Sequence, residues 1–280
     1  MKRIYLIPNI ITAFGLTCGL FVIFKLNTSE SHTSVYELLH SATLLIFLAA
    51  FADLMDGAIA RIIKAESEFG LMFDALADAI SFGVAPAVLF LKSLSLGGIS
   101  GLSFFAITGA MLYALCGILR LVRFNVNAHA VKGDALNELT YHSNFTGLPI
   151  PAGAAGAVSL NLFVHSPSFT GWIHLSDTAK AIGLTCCMIL LGYLMVCKWK
   201  FPSIKTLRIR VPFLYLLLFT VILAIFILYG IFYYLPLMLL VGSLGYIITG
   251  CTLTVIRLIA GKKSTTLVEF EPESEGEEEI

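Results

Sequence analysis

The chain has 280 residues, 58% of them hydrophobic and 13% charged, with a mean hydropathy of +0.90. Soluble domains carry roughly 25% charged residues, so this composition excludes a soluble globular protein and defines an integral membrane one. The net charge of zero conceals a split: seven of the 18 acidic residues fall in the last twelve positions, which leaves 11 acids against 18 Lys and Arg in a basic body suited to an anionic lipid or substrate.

Eight apolar segments are predicted, near 8–26, 38–62, 70–91, 102–124, 148–165, 179–197, 211–230 and 235–258. Each has about the 17–25 residues that a spanning helix requires. Because backbone amides find no water in lipid, the expected fold is all-α, a polytopic helical bundle. The opening Met-Lys-Arg and apolar run have no small-residue cleavage site after them, so the run is read as a retained helix. With the N-terminus in the cytoplasm, fifteen Lys and Arg fall on the inner side, and Lys25, Lys92 and Lys180 on the outer. That bias sets the orientation and places both termini inside. The six cysteines lie in apolar runs without a CxxC and read as small core residues.

The first segment opens at Pro8, a residue that needs no amide partner at a helix start. Asn9 and Thr12 follow at one-turn spacing; capping is the plain reading and a ligand contact the sharper one. Segments two and three carry four aspartates within 26 residues: Asp53, Asp56, Asp74 and Asp78. Ionisable side chains at that depth are expensive and mark function. Asp53 and Asp56 stand about 60° apart on the helix, with Gly57 and Ala60 beside them and Arg61 near the inner mouth. Gly70, Asp74 and Asp78 are spaced by four and share a face. The short connection makes the two helices antiparallel neighbours, so all four carboxylates converge in the inner leaflet.

Clustered carboxylates select hard divalent cations: Mg²⁺ or Mn²⁺, with Ca²⁺ possible. Only His40 lies in these two segments, about 20 Å of helix from Asp53, which argues against zinc. Four carboxylates can hold two ions about 3.5–4 Å apart, an arrangement that clamps a phosphoryl group. A divalent cation transporter is the rival; it accounts for the acids but not for Arg61 or the small-residue spacing.

The pattern Asp53-x-x-Asp56-Gly57-x-x-Ala60-Arg61, eight residues, then Gly70-x-x-x-Asp74-x-x-x-Asp78 resembles the signature of the CDP-alcohol phosphatidyltransferase family at every fixed position. Pro8-Asn9-x-x-Thr12 is similar to that family's first helix, and the resemblance to its core covers about residues 5–200. It implies a six-helix core, a homodimer and two divalent ions beside a cytidine diphosphate lipid. It further implies that Asp53, Asp56, Asp74 and Asp78 are metal ligands, with Asp78 also the general base. Asn9, Thr12, Asp53, Gly57, Ala60, Arg61 and Gly70 would form the nucleotide site.

Three stretches resemble the serine-accepting branch of the family: Ser81-Phe82-Gly83-Val84-Ala85-Pro86, Arg120-x-x-Arg123-Phe124-Asn125, and Phe145-x-Gly147-Leu148-Pro149-x-Pro151. Arg120 and Arg123 share a helix face at the inner surface. Interfacial anchoring explains them on physics alone; the resemblance implies that they bind the serine carboxylate or the lipid phosphate. Asn125 and Asn144 are candidate serine contacts. Segments seven and eight, without internal Asp, Glu, Lys or His, are read as lipid-facing or dimer scaffold.

The expectation is therefore a CDP-diacylglycerol-dependent transferase in the cytoplasmic membrane, with serine as acceptor and CMP as leaving group. Glycerol 3-phosphate and inositol phosphate remain alternative acceptors. Membrane lipid and a second copy of the chain are the expected partners, with no nucleic acid. Residues 1–200 form the catalytic core, 201–260 an added transmembrane hairpin, and 261–280 an acidic, disordered cytoplasmic tail.

Overall fold

Serine side chains start three of the helices. Ser34 Oγ accepts from the Glu37 amide at 3.2 Å, Ser67 Oγ from Gly70 at 3.0 Å, and Ser176 Oγ from Ala179 at 3.2 Å. Each satisfies an amide that the first turn leaves without a carbonyl. An acid in each first turn (Glu37, Glu68 and Asp177) opposes the positive end of the helix dipole. The computed structural model describes residues 6–29, 34–63, 67–94, 100–131, 145–172, 175–197, 199–201 and 234–260.

The helices are α1 (Leu6–Thr28), α2 (Val35–Ile62), α3 (Glu68–Asp78), α4 (Ala85–Ser93), α5 (Ser100–Val131), α6 (Ile150–Val164), α7 (Pro167–Trp172), α8 (Asp177–Val196) and α9 (Leu235–Ala260). A π-helical segment, Ala79–Val84, joins α3 to α4 without a break, so Glu68–Ser93 runs as one 26-residue span. Among the described residues six helices are long and apolar enough to cross a membrane, and α6 is a shorter apolar helix of 15 residues. The chain is thus a polytopic helical membrane bundle. Predicted segment seven (211–230), Asn144 and the acidic tail lie outside the described residues. The first helix begins at Leu6, which places Pro8 inside its first turns.

The π segment has a local cause. In an α-helix the Phe82 carbonyl would accept the amide of residue 86, but residue 86 is proline and has no N–H. The chain widens instead, and the Ala85 amide bonds to Ile80 five residues back. Tyr113, fully buried on α5, donates its hydroxyl to the Phe82 carbonyl at 3.0 Å. An acceptor that the proline would otherwise orphan is satisfied from a neighbouring helix.

α1 packs along α2, and α5 along α8. Small residues set the closest approaches, as expected where lipid gives no hydrophobic drive between helices. A Cβ on Gly15 would sit 3.4 Å from Ala52 Cβ, and one on Gly19 would lie 2.8 Å from Ser81 Cα. Between α4 and α6, Ser93 Oγ donates to Asn161 Oδ1 at 2.8 Å. The core runs from Val22 and Leu39 through Phe90 and Tyr113 to Leu162 and Met188, all at most 1% exposed.

The chain entering α6 is pinned to the chain leaving α8. Phe145 and Thr146 pair antiparallel with Phe201 and Lys200. The Gly147 amide donates to Trp199 O at 2.7 Å, and the Leu148 amide to Leu194 O at 2.9 Å. Gly147 has φ +80°, and a side chain there would run into the Met195 carbonyl. Only glycine tolerates both demands. The last helix, α9, packs on α6, with Ser243 Oγ 2.8 Å from Ser159 Oγ.

Candidate active site

α2 ends and α3 begins on the same side of the bundle, so the two aspartate pairs meet. Carboxylate oxygens of Asp53, Asp56 and Asp74 lie within 4.8 Å of one another. Asp78, one turn along α3, lines the same cleft of about 200 Å³, with Thr12 and Gly15 of α1 and Ser81 and Phe82 of the π segment. Asp56 is buried, with 4% of its surface exposed, and the other three are half-buried.

Thr12 holds Asp56 in place. Its Oγ1 lies 2.6 Å from Asp56 Oδ2 and 3.1 Å from the Pro8 carbonyl. The hydroxyl therefore ties α1 to α2, and Thr12 caps nothing. Asn9 faces α3: its Oδ1 lies 3.3 Å from where a Gly70 Cβ would be. Gly57 meets nothing closer than Arg61 Nη2 at 3.9 Å, so its face is open beside the acids. Arg61 is exposed and folds back along its own helix, Nε donating to the Gly57 carbonyl at 3.0 Å. Ala60 is half-buried on the same turn.

On α5, Arg120 is close enough to Asp78 for each to feel the other's charge. Its Nε is buried without a hydrogen-bond partner. Arg123, one turn on, is an electrostatic neighbour of Cys197 instead. Neither Arg123 nor the half-buried Asn125 lines the cleft. Two participants went unforeseen in the sequence: Thr12 as partner of Asp56, and Tyr113 as support for the π segment. Their contacts join residues 44 and 31 positions apart, which helix periodicity cannot encode.

Oxygen ligands alone, three of them carboxylates within reach of one point, suit a hard divalent cation. Left without a cation, they would repel one another in a medium of low dielectric.

A helical membrane bundle with an aspartate cleft between its second and third spans defines the class: the chain belongs to the CDP-alcohol phosphatidyltransferase family, whose model matches residues 5–256. Within that family it is 37% identical over 199 residues to the CDP-diacylglycerol–serine O-phosphatidyltransferase of Bacillus subtilis (strain 168), covering 71% of this chain and 91% of that one. It is 35% identical over 160 residues to the enzyme of the same name from Mycobacterium bovis, covering 56% of this chain and 49% of that protein. A third, from Helicobacter pylori (strain ATCC 700392 / 26695), is 30% identical over 210 residues, covering 74% of this chain and 76% of the relative.

Proposed function

We propose that this chain transfers the phosphatidyl group of CDP-diacylglycerol to the hydroxyl of L-serine and releases CMP. The observation that carries the reading is the convergence of Asp53, Asp56, Asp74 and Asp78 on one cleft in a family that works on CDP-activated lipids. The acceptor is argued from the names of the relatives and from the three stretches that resemble the serine-accepting branch.

Asp53, Asp56 and Asp74 are the residues that would hold Mg²⁺ or Mn²⁺, with Ca²⁺ a weaker candidate and Asp78 a further ligand. When bound, such an ion neutralises the diphosphate and stabilises the leaving CMP. Thr12 keeps Asp56 turned into the cleft. Asn9, Gly57, Ala60, Arg61 and Gly70 surround the place for the nucleotide, and the open face of Gly57 lets it approach the backbone. Serine Oγ bonds to the phosphatidyl phosphorus, and the bond from that phosphorus to the CMP oxygen breaks. The serine proton passes to Asp78, and CMP leaves with the electron pair. Arg120, within electrostatic range of Asp78, would pair with the serine carboxylate, with Arg123 and Asn125 further along the same helix.

The skew of basic residues supports an active site and both termini on the cytoplasmic side. The family resemblance supports a homodimer and a catalytic core over 1–200, with 201–260 added to it and 261–280 an acidic tail.

The test is CMP release by purified protein offered serine, glycerol 3-phosphate or inositol phosphate with CDP-diacylglycerol. Serine should support turnover, EDTA should abolish it, and Mg²⁺ or Mn²⁺ should restore it. Turnover with another alcohol and none with serine overturns the acceptor. Metal flux without any CMP release would sink the transferase reading.

A further inference from the structure

Two hydroxyl side chains line the cleft among the described residues, Thr12 and Ser81. Thr12 lies between two acceptors, Asp56 Oδ2 at 2.6 Å and the Pro8 carbonyl at 3.1 Å, and is committed to holding the acid. Ser81 has no such task. It is 2% exposed, and its Oγ donates to the Gly15 carbonyl of α1 at 3.3 Å. A hydroxyl carries one proton and two lone pairs. With the proton turned to α1, no donor among the described residues reaches the oxygen, so its lone pairs are left to a ligand in the cleft.

The position of Ser81 is fixed from two sides. A Cβ on Gly19 would sit 2.8 Å from Ser81 Cα, so α1 presses directly on the backbone of the π segment. The continuous span Glu68–Ser93 sets Ser81 three residues after Asp78, at most about 4.5 Å further along the axis. An alcohol whose hydroxyl gives its proton to Asp78 therefore carries the substituent on its next carbon towards Ser81. In serine that substituent carries the ammonium. Lone pairs call for a donor: an ammonium supplies three N–H groups and a carboxylate none. A neutral hydroxyl can donate to the same oxygen, but a charge-assisted bond is roughly twice as strong. Ser81 also belongs to one of the three stretches that resemble the serine-accepting branch, and that stretch lines the cleft through Ser81 and Phe82.

We propose that Ser81 is a specificity-determining residue whose Oγ accepts a hydrogen bond from the ammonium of the acceptor, selecting an amino alcohol over a polyol phosphate. The inference rests on the transferase reading above and names the contact that tells serine from glycerol 3-phosphate or inositol phosphate.

The experiment measures CMP release by the full chain in detergent, with serine and CDP-diacylglycerol varied separately. Inhibition against serine is measured with 3-hydroxypropanoate, which keeps the hydroxyl and carboxylate of serine and lacks the ammonium. Ser81→Ala should raise the KM for serine about tenfold, as expected for a lost hydrogen bond to a charged group. It should leave the KM for CDP-diacylglycerol and the inhibition constant of 3-hydroxypropanoate within about twofold of wild type, a split that a general loss of packing would not produce. Ser93→Ala removes another buried hydroxyl of the same span, one bonded to Asn161 away from the cleft, and should leave the serine KM in place. An unchanged serine KM in Ser81→Ala overturns the proposal, and so does an equal rise for serine and 3-hydroxypropanoate, or an equal rise in Ser93→Ala. Thermal unfolding of each variant identifies a folding defect. Ser81→Cys, close in size but a weak acceptor, takes the place of Ser81→Ala should that variant unfold, and is judged by the same criteria. If wild type turns over serine and Ser81→Ala matches it, this proposal alone fails. If wild type turns over only alcohols without an ammonium, the serine reading fails with it.

Discussion

Thr12 shows how one hydroxyl orders an acidic cluster. It is 6% exposed and bridges the Pro8 carbonyl and the Asp56 carboxylate, so its proton is directed at an acid that has little water to replace it. Thr12→Val keeps the shape and removes the donor. Hydrogen bonds to charged groups contribute about 1.5–3 kcal/mol, so activity should fall about tenfold or more while the protein still folds, as read by CMP release and thermal unfolding. Asp78→Asn removes the proposed proton acceptor; turnover near the wild-type rate would rule Asp78 out as the base. The aspartates were legible in the sequence because repeats of three and four residues on a helix fix which side chains share a face. The partner of Asp56 was not, because nothing local links positions 12 and 56.

At the scale of the element, the continuous span Glu68–Ser93 carries both halves of a compromise. α3 presents Asp74 and Asp78, and the π segment absorbs the missing amide of Pro86 through Tyr113. Tyr113→Phe leaves the Phe82 carbonyl buried without that donor. An unsatisfied buried acceptor costs about 1–3 kcal/mol, which should appear as a lower unfolding temperature in detergent. Gly19→Ala forces a methyl against Ser81 Cα across the α1 interface and should cost a similar amount, about 1–3 kcal/mol, by overpacking. The sequence marks this span as one apolar run and gives its length closely. Its π segment escapes a reading based on hydropathy, although the proline that causes it stands in plain view. Gly147 is a parallel case: the motif around it resembles the family's, and the reason for a glycine there lies in its approach to Met195.

Across the whole molecule, spans of 20 to 28 residues, the described bundle and the charge bias agree on a membrane protein. Orientation is the part still carried by Lys and Arg alone. In a cysteine-free background, Glu68→Cys should react with an impermeant thiol reagent from the cytoplasmic face and Asn27→Cys from the other, since both positions are exposed at opposite ends of their helices. The reverse pattern would invert the topology and move the cleft to the far side. Their lack of charge makes segments seven and eight read as lipid-facing or dimer scaffold. The contact between Ser159 and Ser243 shows α9 seated on α6, a docking that composition alone could not announce.

The widened turn between Ala79 and Val84 also bears on how this protein tolerates length changes. Such a turn accommodates one residue more than an ordinary helix would hold. Deleting a single residue there and rewinding as a regular helix removes that surplus and keeps the flanking turns in phase, whereas a deletion in the regular helix α4 has no surplus to remove and rotates everything upstream by about 100°. In the α4 deletion Asp74 and Asp78 would swing away from Asp53 and Asp56 while the rest of α4 stayed seated in the core. The span would still cross the bilayer but the acidic cluster would come apart, so a one-residue deletion at Val88 should give inserted, inert protein, and one within Ala79–Val84 should keep more CMP release.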